Sequence, residues 1–296
     1  MMETQHGVLM KKELERLRER AHQLKEKRPG YGQILDFYVK VKEAQIASRA
    51  VLEVDPIKLK KEWESHPAKK DFPLIRKEDL PLDVEASIRL FHTLCQIGKT
   101  ANPHMAEQVE KIEEVLNDSK MDLAKVLTGR GKEQLSDHID AHRDVDKQIL
   151  SFLIQNSIRS SIEAGVEQLR GELDPETWRK SHCPVCGSLP SLNLLKGPEG
   201  KRYSLCSYCG YEWSIDRLSC AVCANKEQQF LSFFCGEGEE SYRIDLCDKC
   251  HHYIKTIDYR TLEPSDPCLE DLATLHLDVV AAKQGYRRAV LSYWSA

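Results

Sequence analysis

The residues best suited to chemistry in this chain are eight cysteines, which form four Cys-x-x-Cys pairs between positions 183 and 250. Such a pair places two thiolates on one side of a tight turn, and two facing pairs supply four sulfurs at the corners of a tetrahedron. Structural zinc and the iron of a rubredoxin-type centre both take this coordination. The sequence therefore predicts two sites for metal ions, either iron or zinc, with the ligands Cys183, Cys186, Cys206, Cys209, Cys220, Cys223, Cys247 and Cys250.

The spacing of the pairs predicts which of them share a metal. Gaps of 19 and 23 residues lie within the first two and the last two pairs, and a gap of 10 residues separates these two groups. Because each longer gap suits a short hairpin, we expect the first and second pairs to hold one metal and the third and fourth pairs the other. The alternative is an interleaved arrangement, in which the first pair joins the third.

The residue that directly follows each cysteine pair affects how regular the backbone turn at the metal site is. Gly187 and Gly210 follow the first two pairs, and glycine adopts positive φ without steric cost, which lets backbone N–H groups point at the sulfurs. Ala224 and His251 stand at the corresponding positions after the last two pairs. We therefore expect the second metal site to be less regular than the first.

Two other functions of Cys-x-x-Cys motifs are alternatives. The run from Cys247 to His251 matches the attachment pattern of c-type haem, but that attachment usually accompanies export, and no export signal is present. Redox-active pairs of the thioredoxin type begin a helix in an α/β fold, and no β-α-β pattern surrounds these pairs. Metal binding accounts for all four pairs together, so it is the preferred interpretation.

The sequence carries no pattern of a catalytic site. It contains no Gly-x-Ser-x-Gly elbow and no His-Glu-x-x-His motif. A metal with four thiolate ligands has no position open to water, unlike the metal of a hydrolase. With eight thiols available, His182, His251 and His252 are surplus as ligands and are expected to be neighbouring or surface groups. These features indicate that the protein is not an enzyme.

Charge and composition restrict the partners and the compartment. The net charge is −4, and residues 181–260 carry nine basic and ten acidic side chains, so this region has no basic excess to neutralise phosphates. We therefore expect no nucleic-acid partner.

No run of 18 apolar residues indicates a membrane span. A cytoplasmic location is expected, where reduced cysteines bind metals more often than they form disulfides.

Periodicity predicts an α+β fold. Apolar residues recur at helical spacing through the first 175 residues, and the longest such pattern covers 136–170. Short strands are predicted between the cysteine pairs, followed by a helix from Asp266 to Lys283 with Asp266 as its N-cap. The predicted order is an N-terminal charged segment (1–30), an all-helical domain (31–178), a cysteine-rich domain of two rubredoxin-like or zinc-ribbon-like metal-binding modules (179–263), and a C-terminal helix with its tail (264–296).

Three cysteines lie outside the pairs. Cys95 falls on a predicted helix, where a lone cysteine is usually a small core residue. Cys268 falls in the first turn of the C-terminal helix, where it is more simply an incidental residue than a reactive thiol. The pattern assigns no role to Cys235.

The cysteine-rich half resembles the formate dehydrogenase accessory protein FdhE family. The similarity is specific over about residues 180–290 and vague over the helical half. It rests on these runs: Cys183-Pro-Val-Cys186-Gly-Ser-Leu-Pro190, Lys201-Arg-Tyr203 with Cys206-x-x-Cys209 and Glu212-Trp213, Arg217-x-x-Cys220-x-x-Cys223, Cys247-x-x-Cys250-x-x-Tyr253-Ile-Lys255, and Glu270-Asp-Leu-Ala-Thr-Leu-His-Leu-Asp278 followed by Gly285-Tyr-Arg287.

This resemblance implies a cytoplasmic, non-catalytic maturation factor. Its client would be the catalytic subunit of a molybdenum- or tungsten-dependent formate dehydrogenase. The resemblance also implies iron in rubredoxin-like centres at the eight paired cysteines, although their spacing alone suits iron and zinc equally. The alternative is a zinc-ribbon module that binds an unrelated protein or a nucleic acid.

Overall fold

The computed structural model describes residues 5–59, 73–118, 122–129, 145–290 and 294. The chain divides into two compact units. The first consists of Met1–Ile57, Glu78–Gly165 and Tyr293–Ala296, and the second of Lys58–Lys77 and Val166–Ser292. The predicted α+β architecture is confirmed: helices come first, then a sheet that carries the cysteines, then C-terminal helices. The domain boundaries at 30, 178 and 263 stay predictions.

The first unit is built from helices, and its described residues include no strand. Their bounds are α1 (Gln5–Lys27), α2 (Gly32–Arg49), α3 (Val84–Lys99), α4 (Pro103–Asp118), α5 (Leu123–Leu127) and α6 (Lys147–Gln168), the last of which continues into the second unit. The long helix predicted over 136–170 thus begins only at Lys147, and its segment 136–144 lies outside the described residues. Asp146 caps its first turn by accepting from the backbone N–H of Gln148.

Apolar side chains of the helices form the core of the helical unit. Leu35, Phe91 and Leu153 are fully buried. Cys95 has no exposed surface, and burial raises the pKa of its thiol to about 12. A thiol that stays protonated at neutral pH is unreactive, so Cys95 is the core residue that the helical pattern predicts.

The second unit contains one mixed sheet rather than two separate ribbons. Its strands are β1 (Pro190–Lys196), β2 (Lys201–Cys206), β3 (Glu212–Ser214), β4 (Leu231–Cys235), β5 (Tyr242–Cys247), β6 (His252–Asp258) and β7 (Arg287–Arg288). Their order is β3-β2-β1-β6-β5-β4, with β7 alongside β6. Most neighbours are antiparallel, but β1 and β6 pair in parallel, with Leu192 opposite Lys255. This pairing joins the two predicted modules.

The sequence predicts strands between the cysteine pairs, so it does not predict β6 and β7, which follow the last pair. Strand β6 is buried from Tyr253 to Asp258 with Lys255 at its centre, so it shows no alternation of apolar and polar residues. Lys255 lies in the interior because four groups surround its ammonium: the carbonyls of Asp271 and Thr274, at 2.9 and 3.1 Å, and the carboxylates of Asp271 and Asp278, at 2.8 and 2.6 Å. A buried charge is tolerated only when it is paired in this way.

The predicted C-terminal helix is divided into α7 (Pro267–Leu272) and α8 (Leu275–Lys283). Asp266 caps α7 as predicted, accepting from the backbone N–H groups of Cys268 and Leu269. At the break, Ala273–Thr274, the carbonyls of Asp271 and Thr274 accept from Lys255 and also from the backbone N–H groups of Thr274 and Leu277. Leu277 and Ala281 of α8 pack against the sheet core formed by β1, β5 and β6. Over the described ranges, no helix has the length and apolar character needed to cross a membrane.

Candidate metal centres

Site 1 consists of the thiols of the first two cysteine pairs, which the structure brings together in the interior. All four of its cysteines are buried: Cys183, Cys186, Cys206 and Cys209. The Sγ atoms of Cys183 and Cys209 are 3.6 Å apart, and those of Cys186 and Cys206 are 3.4 Å apart. All of its sulfurs lie within 4.8 Å of one another.

Site 2 consists of the thiols of the last two pairs and reaches the surface. Its members are Cys220, Cys223, Cys247 and Cys250, of which Cys223 is exposed and Cys250 is half-buried. The Sγ of Cys220 lies 3.7 Å from that of Cys250, and the Sγ of Cys223 lies 3.8 Å from that of Cys247. The grouping of the eight thiols is the one that the gaps predict, and the interleaved arrangement does not occur.

The turn has the same conformation in all four pairs. Gly187 and Gly210 have φ of 75° and 71°, and Ala224 and His251 adopt φ of 59° and 53° in the same left-handed region. Each of these four residues donates its N–H to the carbonyl of the first cysteine of its pair, at 2.8 to 3.2 Å. The expected irregularity of site 2 is therefore wrong for the backbone. The turn demands this conformation, and Ala224 and His251 adopt it despite their Cβ atoms.

The geometry of both sites fits a tetrahedral metal ion. Metal–sulfur bonds of about 2.3 Å place ligand sulfurs about 3.8 Å apart, which is close to the sulfur–sulfur distances in the two clusters. Backbone N–H groups point at the sulfurs as expected: that of Cys209 lies 3.4 Å from Sγ of Cys206, and that of Cys223 lies 3.4 Å from Sγ of Cys220. Such contacts stabilise thiolate charge.

Burial adds an electrostatic reason for a cation. It raises the pKa of Cys183 well above the usual thiol value and the pKa of Cys220 to about 11. Hydrogen bonding with Cys183 and its neighbours instead lowers the pKa of Cys186. Four thiolates packed this closely repel one another, and a metal cation removes that repulsion.

A distant segment covers site 1. The backbone N–H groups of Leu74 and Ile75 donate to the carbonyls of Pro184 and Val185, at 2.8 and 3.0 Å. A Cβ built on Gly187 would lie only 2.9 Å from Pro73, so this turn and the covering segment fit without room for a side chain. The proline-containing stretch 66–82 is predicted as a loop, and nothing in that pattern indicates that part of it closes a metal site. Its residues 66–72 lie outside the described residues.

The different burial of the two sites predicts an order of metal release. A thiol-modifying reagent added with a chromogenic chelator should release metal from site 2 roughly tenfold or more faster than from site 1, because Cys223 is open to attack without unfolding. The measurement is the time course of chelator absorbance. In the variant Cys247→Ser/Cys250→Ser the fast phase should vanish and the slow phase should remain. Release of all metal in one phase would contradict this assignment.

The histidines and aromatic residues near the cysteines have structural positions. No histidine of the described residues joins either four-sulfur group. The His182 carbonyl accepts from the indole of Trp178 at 2.7 Å, and Nδ1 of His252 lies 2.7 Å from the Cys250 carbonyl. Trp213 is fully buried and donates to the Lys180 carbonyl, which anchors the segment before site 1 to β3.

Arg202 has a structural role that no sequence motif indicates. It lies on β2, is almost fully buried, and donates to the carbonyls of Arg217 and Ser219, at 3.2 and 2.7 Å. Its guanidinium also lies 3.4 Å from the carboxylate of Asp245 on β5. It therefore holds the segment that leads into Cys220. Its position in the sequence, within a short run of charged and aromatic residues, gives no sign of its burial.

Two family models match adjacent parts of the chain. The model described as "FdhE, central domain" matches residues 182–217, which include every cysteine of site 1. The model described as "FdhE, C-terminal domain" matches residues 218–294, which include every cysteine of site 2. Residues 182–294 are therefore similar to FdhE proteins. The two four-thiol clusters of this chain thus fall one in each of the two matched regions.

Individual FdhE proteins extend the similarity to the helical half. An FdhE homologue of Aquifex aeolicus (strain VF5) is 27% identical over 286 residues, which cover 95% of this chain and 94% of that protein. An FdhE homologue of Edwardsiella ictaluri (strain 93-146) is 35% identical, over 42% of this chain and 41% of that protein. The crystal structure of the FdhE protein from Pseudomonas aeruginosa matches with a TM-score of 0.69 at 22% identity, covering 95% of each chain. This last match establishes the shared fold.

Proposed function

We propose that this chain is a cytoplasmic, non-catalytic maturation factor that binds the catalytic subunit of a molybdenum- or tungsten-dependent formate dehydrogenase. Similarity to FdhE proteins supports an accessory role toward formate dehydrogenase. The two sites act as rigid supports for a surface that contacts the client protein.

The observation that carries the proposal is the completeness of both thiol clusters. Each cluster offers four sulfurs to one tetrahedral ion, so no ligand position is left for water or substrate. A metal bound in this way contributes stability and rigidity and does not activate water. A surface that is already ordered loses little conformational entropy on binding, which favours recognition of a protein over turnover of a substrate.

We further propose that the ions are iron in rubredoxin-like centres. The ligands would be the four cysteines of site 1 and the four of site 2, and the iron would supply a one-electron redox couple sensitive to oxygen. Zinc satisfies the same geometry but has no redox chemistry. The absorption spectrum of anaerobically purified protein distinguishes the two metals, because ferric tetrathiolate centres absorb visible light and zinc centres do not.

Pull-down under anaerobic conditions tests client binding. The full-length, metal-loaded protein is expected to retain the purified catalytic subunit of formate dehydrogenase. The variant Cys247→Ser/Cys250→Ser should lose metal from site 2 and recover at most about a tenth of the client, because the surface around β4 and β5 loses its support. The matched control is Cys268→Ser, which changes one half-buried cysteine outside both clusters.

Three outcomes would count against the proposal. Equal client recovery by the demetallated variant would refute a metal-dependent interface. Recovery of nucleic acid with no client would favour the alternative of a nucleic-acid-binding zinc-ribbon module. Turnover of formate by the isolated protein would contradict the non-catalytic assignment.

A further inference from the structure

The two edges of the sheet differ in whether another segment covers them. Strand β3 forms one edge, and the N–H of Ser214 donates to the carbonyl of Pro175 at 2.9 Å, which caps that edge. Strand β4 forms the other edge. Among the described residues, β4 pairs along its length with β5 alone. An uncapped edge strand is a template for an added strand.

A cleft of about 320 Å³ lies beside this edge and next to site 2. Strand β4 contributes Leu231, Ser232 and Phe233 to its wall, and the segment before Cys220 contributes Arg217 and Leu218. All these residues belong to the second unit, so the cleft is complete within one compact part of the chain. Its wall therefore joins a strand edge to the turn that carries a predicted metal ligand.

The cleft exposes apolar surface that the fold leaves uncovered. Phe233 and Leu218 are each 61% exposed, although large apolar side chains are normally buried. Phe233 lies opposite Asp245 in the β4–β5 register and projects on the face that carries this carboxylate. The Arg243 guanidinium lies 5.1 Å from the centre of the Phe233 ring. Aromatic and arginine side chains in this arrangement are typical of contact surfaces.

The charge of the cleft is opposite in sign to that of the whole chain. Its wall contains Arg202, Arg217 and Arg243 but a single acidic residue, Asp245, whereas the chain carries a net charge of −4. The carboxylate of Asp245 is already shared, since it lies 2.9 Å from Arg243 and 3.4 Å from Arg202, and it accepts from Thr256 at 2.6 Å. A ligand that brings a carboxylate would balance the remaining positive charge.

We propose that this cleft and the outer edge of β4 bind an extended, acidic and apolar segment of the client protein as an additional strand. Backbone hydrogen bonds of the segment pair with β4, an apolar side chain packs on Phe233 and Leu218, and a carboxylate faces Arg217 and Arg243. The inference rests on the proposed function for the identity of the client. The proposal also links site 2 to binding of the client, because Cys220 and Cys247 line the same cleft.

The test compares two double variants of the full-length, metal-loaded protein. Phe233→Glu/Arg217→Glu changes the cleft, and Val279→Glu/Lys283→Glu makes the same change of charge on the exposed face of α8, where Val279 is 53% exposed. Affinity for the catalytic subunit is measured by biolayer interferometry. The cleft variant should bind about tenfold or more weakly, and the α8 variant within about twofold of the native protein. Added salt should weaken native binding more than the residual binding of the cleft variant.

Metal content and circular dichroism of each variant show whether it is folded. If Phe233→Glu/Arg217→Glu loses metal, the milder Leu218→Ala takes its place, with an expected loss of about threefold or more. Equal affinity of the native protein and a folded cleft variant would overturn the inference and leave the proposed function intact. Equal weakening by the α8 variant would also overturn it.

Failure of the native protein to bind the catalytic subunit would overturn the proposed function. In that case, a second probe tests whether the cleft and the edge of β4 bind an acidic strand. The probe is a synthetic octapeptide of alternating glutamate and valine, with the lysine–valine peptide as its control. Amide chemical shifts of the labelled protein should change at β4 with the acidic peptide and not with the basic one. Absence of such changes, or equal changes with both peptides, would overturn the inference.

Discussion

Replacement of Cys183 and Cys186 by serine is expected to release the metal of site 1 and to unfold the sheet of the second unit. Structural metal in a thiolate site contributes on the order of 10–16 kcal/mol, whereas the net stability of a domain is only about 5–15 kcal/mol. Both thiols are buried, so the variant also leaves polar hydroxyls in a space shaped for a metal. Thermal unfolding of the metal-loaded protein and metal analysis after purification measure the effect.

The same variant should retain most of its helix. The helical unit has its own core around Phe91 and Leu153, so far-UV circular dichroism should keep most of its helical signal while the near-UV signal of Trp213 is lost. Cys95→Ser, which changes a buried thiol in the helical unit, should leave both metals in place and destabilise that unit by about 1–3 kcal/mol, because it buries a hydroxyl. Loss of nearly all helix in the double variant would show that the two units fold as one.

Replacement of Lys255 by methionine is expected to have the second largest effect. The substitution removes a charge with no exposed surface and leaves the carboxylates of Asp271 and Asp278 with Arg288 as the remaining cation of this cluster, at 2.7 and 3.2 Å. Breaking a buried ion pair on one side typically costs about 3–5 kcal/mol. Two carbonyls at the break between α7 and α8 also lose one of their donors, although each still accepts from a backbone N–H.

Denaturant unfolding of the metal-loaded protein measures this loss. Lys249→Met is the control, since its ammonium lies at the surface, and it should change the free energy of unfolding by about 0.5 kcal/mol or less. A loss below about 1 kcal/mol in Lys255→Met would show that burial of this cluster gives no net stabilisation.

The site is more predictable from sequence than the sheet around it. Metal ligation depends on residue type and short spacing, so the grouping of Cys183 with Cys209 and of Cys220 with Cys250 follows from the order of the pairs. The capping of α7 by Asp266 is equally local. The turn conformation is not obvious from residue type, because Ala224 and His251 adopt a backbone that glycine adopts more readily.

The features that sequence patterns miss depend on contacts between distant residues. The sequence of neither strand predicts the parallel pairing of β1 with β6. Lys255 makes β6 look unlike a buried strand, because the groups that pair with its ammonium lie on α7 and α8. The cover over site 1 comes from Leu74 and Ile75, far from the cysteines along the chain. Exposure of Cys223 is likewise a property of the assembled sheet.

The parallel pairing of β1 with β6 joins two strands that are synthesised at different times. All four thiols of site 1 leave the ribosome with the β1–β2 hairpin, before any strand of the site 2 region has been made. Because Leu192 pairs with Lys255, which is made much later, β1 is an unpaired edge in the nascent chain until β6 has been synthesised. Non-local strand pairing of this kind is slow. The nascent chain is therefore prone to aggregation at β1 until β6 has been made and has paired with it.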